Sequence, residues 1–338
     1  QYGRFAVGGA GMVILEATAV TAQGRITPGD LGLWGDDQVE GIARISDFLK
    51  ANGSVPAIQL GHAGRKAATA RPWHGNLPLG DRDVTERGEG AWPIVAPSAE
   101  AMADGWPVPA SLDLAGIETV RAAFTAAARR ALRAGIEVVE IHCAHGYLLH
   151  AFLSPLSNHR TDVYGGSREG RMRLPLEIAS DIRALWPQDR PVFLRVSAVD
   201  NLDGGLELED TIVFAQALKQ IGIDVIDCSS GGIAGGATAG RLPRGPGFQI
   251  PFAATIREKA DIATMAVGLI LDARHAEAAL VNGETDLIAI GRAALDNPNW
   301  PLHARALLCG EDYADWPPQH GWWLERRAAI MRAIRDQS

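Results

Sequence analysis

The run EIHCAHGYLLHAFLSPLSNHRTDVYGGSREGR, residues 140–171, sets two histidines and a tyrosine directly behind an apolar strand. Successive side chains of a strand face opposite ways, so over residues 138–142 Val138, Glu140 and His142 share one face while Val139 and Ile141 share the other. Two polar groups thus stand on one face at the strand's end. His142 and His145 converge only if the chain turns after His142, as Gly146 permits. That turn carries both imidazoles and Tyr147 to a pocket rim, and the stretch is expected to form an active-site wall. The same residues admit two other readings. One is a structurally satisfied imidazole pair; the other is a zinc site, against which stands the lack of a third Cys, His or carboxylate at metal spacing.

Outward from this stretch, short apolar runs alternate with helical periodicity. Residues 12–20, 55–62, 191–198, 224–231, 264–270 and 286–292 read as strands beside 138–142. Helices are expected over 38–52, 112–134, 168–185, 210–220, 251–260 and 274–282. In the first of these Val39, Ile42, Ile45, Phe48 and Leu49 fall at helical spacing, with Gly53 where a left-handed terminator belongs. Strands alternating with helices in this way predict an α/β fold, a (β/α)8 TIM barrel occupying residues 1–338 as one domain. The eighth strand is expected ahead of Gln1, since residues 1–4 read as the middle of a helix. Residues 66–111 have no clear period and carry Trp73, Trp92 and Trp106 among many prolines and glycines, which predicts a long excursion over the barrel mouth. Its tryptophans either line a pocket or glue the loop to the surface. The glycine-rich 231–247 reads as a second mouth loop.

Strand faces nominate ligand contacts. Gln59 lies with Ala57 and Gly61, opposite Ile58 and Leu60; Arg195 lies with Phe193 and Ser197. A charge on an inner strand face is costly unless paired or serving a ligand, so Arg195 is expected to meet an anion. Barrels of this kind bind phosphate after the last two strands, where glycine backbones and a helix N-terminus present N–H groups. Gly268, Gly291 and Arg292 stand at those places.

Composition narrows the partners. With 338 residues, 47% hydrophobic content and 38 glycines the chain can bury a large core. A net charge of −8 without a basic cluster argues against nucleic acid. No apolar stretch is long enough to span a bilayer, and Cys143, Cys228 and Cys309 lie far apart, which predicts a reduced, cytoplasmic protein acting on a small molecule.

Tyr2-Gly3, EATAV at 16–20, GRITP at 24–28, QLGHAGRKA at 59–67, the run 154–171 and IGRAAL at 290–295 together resemble the signature of the old yellow enzyme family, the flavin-dependent ene reductases. The resemblance covers nearly the entire chain. It is nearest to the thermophilic-like branch, where RPWHG at 71–75 and GWWLERR at 321–327 are similar to xenobiotic reductases acting on cyclic enones. It implies FMN as cofactor, NADPH or NADH as hydride donor, and ping-pong reduction of the activated C=C bond of α,β-unsaturated carbonyl compounds. It implies that His142 and His145 hold the substrate carbonyl oxygen and that Tyr147 supplies a proton. Ala17, Gln59, His142 and Arg195 would meet the isoalloxazine, and Gly268, Gly291 and Arg292 the phosphate. A fixed guanidinium suits a reduced flavin, whose negative charge develops near N1. The family's first strand, which in this branch carries a flavin-tuning cysteine, would lie before Gln1. Some relatives end in an Arg that enters the partner's site; here Trp322 and Trp323 stand in the tail 313–338. A homodimer or higher homo-oligomer is therefore expected, with Trp323 the better placed of the pair to reach the neighbour; the alternative is that both rings fold back on their own barrel. The competing functions are a flavin-binding barrel without activity and a metal-dependent barrel hydrolase.

Overall fold

The structure, a computed structural model, describes residues 1–234, 244–310 and 313–336. Its centre is one seven-stranded parallel sheet in chain order: β1 (Met12–Ala19), β2 (Val55–Gly61), β3 (Val138–Cys143), β4 (Val192–Ser197), β5 (Val225–Ser229), β6 (Ala263–Ala266) and β7 (Leu287–Ile288). Parallel neighbours need long crossovers. Helices α1 (Val39–Ala51), α2 (Leu114–Arg133), α3 (Arg168–Leu185), α4 (Leu208–Ile221), α5 (Ile250–Ala260) and α6 (Ala273–Val281) supply them. Polar side chains start several of these helices: Asp113 accepts from Gly116 N at 2.7 Å, and Ser167 from Gly170 N at 3.1 Å.

Two apolar layers flank the strands. Outside, Leu60, Ile141 and Leu194 pack with Phe124, Ile178 and Phe214 of the helices, all at most 2% exposed. Truncating a ring such as Phe124 to alanine there costs about 3–5 kcal/mol. Inside, Ala57, Val138, Phe193, Val225 and Met265 form one cluster that Met12 and Leu287 join from the two end strands. A flat sheet could not bring its first and last strands to one cluster. The sheet therefore curls, as the wall of the expected α/β barrel; among the described residues β1 and β7 are not hydrogen-bonded to each other.

The observed elements depart from the sequence reading at the ends of two strands. β6 stops at Ala266 rather than 270, because Gly268 (φ 120°) and Leu269 (φ 52°) leave the extended region. β7 closes at Ile288 rather than 292, and Gly291 instead opens a short helix, Arg292–Asp296. The tail contains a helix, Pro318–Arg335, in which only Gly321 and Ala328 are buried. The excursion 66–111 holds a helix, Asp81–Arg87, and a two-stranded clip of Val95–Ala96 with Ala110–Ser111. Trp92 glues it down, donating from Nε1 to Gln23 O at 2.9 Å, whereas Trp73 is 76% exposed. Of the second mouth loop, residues 235–243 lie outside the described residues.

Candidate active site

Alternation carries the inner face upward from the apolar cluster in two polar tiers. The first holds Gln59, Glu140, Arg195 and Asp227, each two residues beyond a cluster member. Gln59 stands opposite Glu140 across β2 and β3 and donates from Nε2 to its Oε1 at 2.7 Å. Arg195 stands opposite Asp227 across β4 and β5, with Nε 3.1 Å from Oδ2. The anion expected for Arg195 is thus supplied in part by the protein itself. Burial and the neighbouring Asp227 push the Glu140 carboxyl up to about 8; burial also raises that of Asp227, against the pull of Arg195. The second tier, at the strand ends, is Gly61, His142, Ser197 and Ser229.

Beyond Cys143 the chain turns through His145 (φ 60°) and Gly146 (φ 76°), two consecutive left-handed residues. A side chain there costs about 1–3 kcal/mol, so His145 needs support. Its N–H donates to Ser197 Oγ at 2.9 Å, its carbonyl accepts from Lys66 Nζ at 2.7 Å, and its Nε2 lies 2.7 Å from Ser229 Oγ. Gly146 N donates to His150 Nδ1 at 2.8 Å, which leaves the His150 proton on Nε2, 2.9 Å from Asp200 Oδ1. Asp200 is anchored in turn by Ser154 Oγ at 2.6 Å and Leu206 N at 2.7 Å. Gly232 closes over the turn so tightly that a Cβ would meet His145 Cα at 2.7 Å.

The turn brings the three expected side chains together. Ring centroids are 5.2 Å apart for His142 and His145, 4.9 Å for His142 and Tyr147, and 6.5 Å for His145 and Tyr147. His142 Nδ1 accepts from Ala144 N at 3.3 Å, so its proton sits on Nε2. Burial holds both imidazoles well below the usual histidine range, hence neutral, and raises the Tyr147 phenol to about 12.

A cavity beside this triangle is lined by Ala17, Gly61, His62, His142 and Tyr147. Ala17 reaches it through a bulge. Leu15 pairs with Ile58 but Thr18 with Leu60, so Glu16 and Ala17 both stand opposite Gln59 and the strand's alternation shifts by one. His62 is buried and keeps its proton off, its pKa lowered to about 4 by desolvation; its Nε2 has no partner. Gly268, Gly291 and Arg292 lie elsewhere, at the ends of β6 and β7, with Gly291 and Arg292 exposed. Trp322 and Trp323 sit on the C-terminal helix, 49% and 66% exposed and edge to face at 4.4 Å.

Residues 2–308 match the sequence pattern of the NADH:flavin oxidoreductase / NADH oxidase family. The chain belongs to that family. It is 44% identical over 317 residues to an NADPH dehydrogenase of Bacillus subtilis (strain 168), covering 94% of this chain and 86% of that protein. Its fold is similar to that of the old yellow enzyme homologue from Zymomonas mobilis, with a TM-score of 0.72, 26% identity, and 94% and 87% of the two chains covered. Morphinone reductase gives the same TM-score of 0.72 and identity of 26%, with 90% and 80% covered.

This member of the family is an NAD(P)H-dependent flavin oxidoreductase of old yellow enzyme type, with FMN as cofactor. The interior fits that group. An orphaned buried nitrogen on His62 and a small side chain at Ala17 border open space, and the inner face of the same wall carries the Gln59 amide and the Arg195 guanidinium, groups suited to a planar, polar-edged ligand. Sequence reasoning did not single out Asp227, Glu140, His62, His150 or Asp200 as site residues. Glu140 and Asp227 had a readable signal, an acid at an inward strand position, but which cation or amide each one faces depends on register.

Proposed function

We propose that this enzyme is an ene reductase, reducing the activated C=C bond of α,β-unsaturated carbonyl compounds with NAD(P)H by a ping-pong mechanism. The observation that carries the reading is the clustering of two neutral imidazoles and a protonated phenol, of which His142 and Tyr147 line a cavity against Ala17 and Gly61 while His145 packs edge to face on His142. FMN, when bound, would supply the hydride chemistry that links NAD(P)H oxidation to reduction at the β-carbon. The chain does the rest. His142 donates from Nε2 to the carbonyl oxygen. His145 adds a second donor when the Ser229 hydroxyl donates its hydrogen bond to Nε2, which leaves the ring hydrogen on Nδ1. Together they stabilise negative charge developing on that oxygen. Tyr147 delivers the proton to the α-carbon, and when protonated Lys66, whose Nζ lies 5.9 Å from its ring centroid and whose pKa burial lowers to about 7, favours the phenolate left behind. In the same reading Ala17, Gln59, His142 and Arg195 face the isoalloxazine, and Gly268, Gly291 and Arg292 hold the phosphate.

A yellow preparation that NADPH bleaches and cyclohexenone restores is the expected result. Bleaching without recovery would overturn the enone reading and leave an NAD(P)H-oxidising flavoprotein. Family membership sets the hydrolase reading aside. The enzyme is read as one 338-residue barrel domain working in the cytoplasm on small molecules, with neither nucleic acid nor membrane as partner. Among the described residues no helix is long and apolar enough to cross a bilayer.

The exposed Trp322–Trp323 pair supports a homodimer in which the C-terminal helix reaches the neighbouring subunit's site. Truncation before Gly321 should then leave FMN bound while changing the enone KM and weakening self-association. A full-length protein that is monomeric at micromolar concentration would overturn this arrangement.

A further inference from the structure

The first polar tier contains more negative than positive charge. Glu140 and Asp227 are 1% and 2% exposed, and among the described residues Arg195 is the cation that faces them. Around the pair the inner face presents Gln59 from β2, Phe193 and Arg195 from β4, and Met265 from β6; His142 on β3 is neutral. Two ionised carboxylates would leave this water-poor layer with an uncompensated charge, which is costly.

The bonding of the individual oxygens says where the imbalance is removed. Glu140 Oε1 accepts from Gln59, and Asp227 Oδ2 faces Arg195 Nε at 3.1 Å. The other two oxygens, Glu140 Oε2 and Asp227 Oδ1, are buried without a partner. The two carboxyl groups lie within hydrogen-bonding reach of each other. One proton between them would satisfy both orphans and neutralise the layer.

We propose that Glu140 and Asp227 form a proton-binding site in the barrel interior, holding one proton in a Glu140 O–H···O Asp227 bridge that keeps the tier around Arg195 electrically neutral. The proton resides on Glu140, because Asp227 has the guanidinium and Glu140 has only a neutral amide. The bridge completes a chain, Gln59 to Glu140 to Asp227 to Arg195, in which those four oxygens all have a partner. Loss of the proton puts a net negative charge in the tier that contains the two proposed isoalloxazine contacts, Gln59 and Arg195. That charge opposes the negative charge a reduced flavin acquires, so Glu140 and Asp227 act as positioning residues that set how readily the flavin is reduced. This last step rests on the flavin contacts proposed above; the proton bridge does not.

Infrared spectra of the holoenzyme in H2O and D2O, taken from about pH 6 to about pH 10, read the bridge directly. The wild type should show the carbonyl band of a protonated carboxylic acid, shifted in D2O, that disappears as pH rises through about 8. E140Q, whose amide can reproduce both hydrogen bonds, should lack that band. D227N removes the other half of the bridge, should lose the band too, and serves if E140Q does not fold. The flavin midpoint potential is the second readout. Above about pH 8 the equilibrium for flavin reduction in the wild type should fall below that of E140Q, by on the order of tenfold. A wild type without the band at about pH 6, or a band that survives in E140Q, overturns the proton site. A band lost as expected, with potentials that do not separate, overturns the influence on the flavin alone.

Discussion

The barrel wall from β2 to β5 and the wall at β6 and β7 are built on different terms. In the first, Gln59, Glu140, His142, Arg195 and Asp227 are mostly buried and already bonded to one another or to backbone. A second network behind them, His150 with Asp200 and Ser154, is fully buried. In the second, β7 is two residues long and half-buried, and its candidate contacts are glycine backbone and the exposed Arg292. The first wall is thus rigid before any ligand arrives, as orientation of a reacting carbonyl requires. The second offers N–H groups and a cation whose order a bound phosphate would supply.

Substitutions on the two walls should therefore fail in different ways. The largest effect is expected from Asp200→Ala, which strips His150, Ser154 and Leu206 N of their buried partner. It should lower stability by about 3–5 kcal/mol, read as a reduced urea midpoint. A midpoint equal to wild type would mean that the second network is not holding the turn.

Tyr147→Phe should slow alkene reduction by about a hundredfold or more while NADPH still bleaches the flavin at nearly the normal rate, because the proton belongs only to the second half-reaction. Stopped-flow traces of the two half-reactions separate these, and equal damage to both would count against a proton donor. His142→Ala and His145→Ala should each weaken enone binding by about 1–3 kcal/mol with flavin retained. Unchanged reoxidation kinetics in both variants would refute the carbonyl clamp.

The first wall also predicts acid sensitivity. The folded pKa values of His62, His142 and His145 are depressed by burial, so as pH falls below about 6.5 the unfolded chain binds protons that the fold refuses, and stability is lost toward the folded pKa. His62→Gln should flatten that decline by about 1.4 kcal/mol per pH unit, measured by urea unfolding at several pH values. Glu140 has the opposite sign. Its raised pKa makes its contribution greatest at low pH, lost as pH climbs toward about 8. The smallest effect on stability belongs to the second wall. Arg292→Ala should change it by no more than about 0.5 kcal/mol while weakening FMN retention, seen as released flavin fluorescence. A large loss of stability with FMN still tightly held would erase the contrast between the walls.

How much of this was legible varies with the kind of interaction. The β2, β3, β4 and β5 runs were readable because parallel strands buried on both faces are near-continuous in apolar residues. β6 and β7 were overread for the same reason, since an apolar run does not say where backbone dihedrals leave the extended region, as they do at Gly268 and Leu269. Ala17 illustrates the limit from the other side. Simple alternation would send Ala17 to the face opposite Ile14, and a bulge moves it to the cavity.

By itself the sequence determined the order of strands and helices, the family, and the turn that gathers His142, His145 and Tyr147. The order and the turn follow from local periodicity and from neighbours only a few positions apart, and the family from the resemblance carried by motifs such as QLGHAGRKA and the run 154–171. The pairings Gln59 with Glu140 and Arg195 with Asp227, the His145 contacts to Ser197 and Ser229, and the cavity at Ala17 were decided by the tertiary structure alone. Each joins residues brought into contact by strand register and by the curl of the sheet. One residue of slip would turn every one of those side chains to the opposite face.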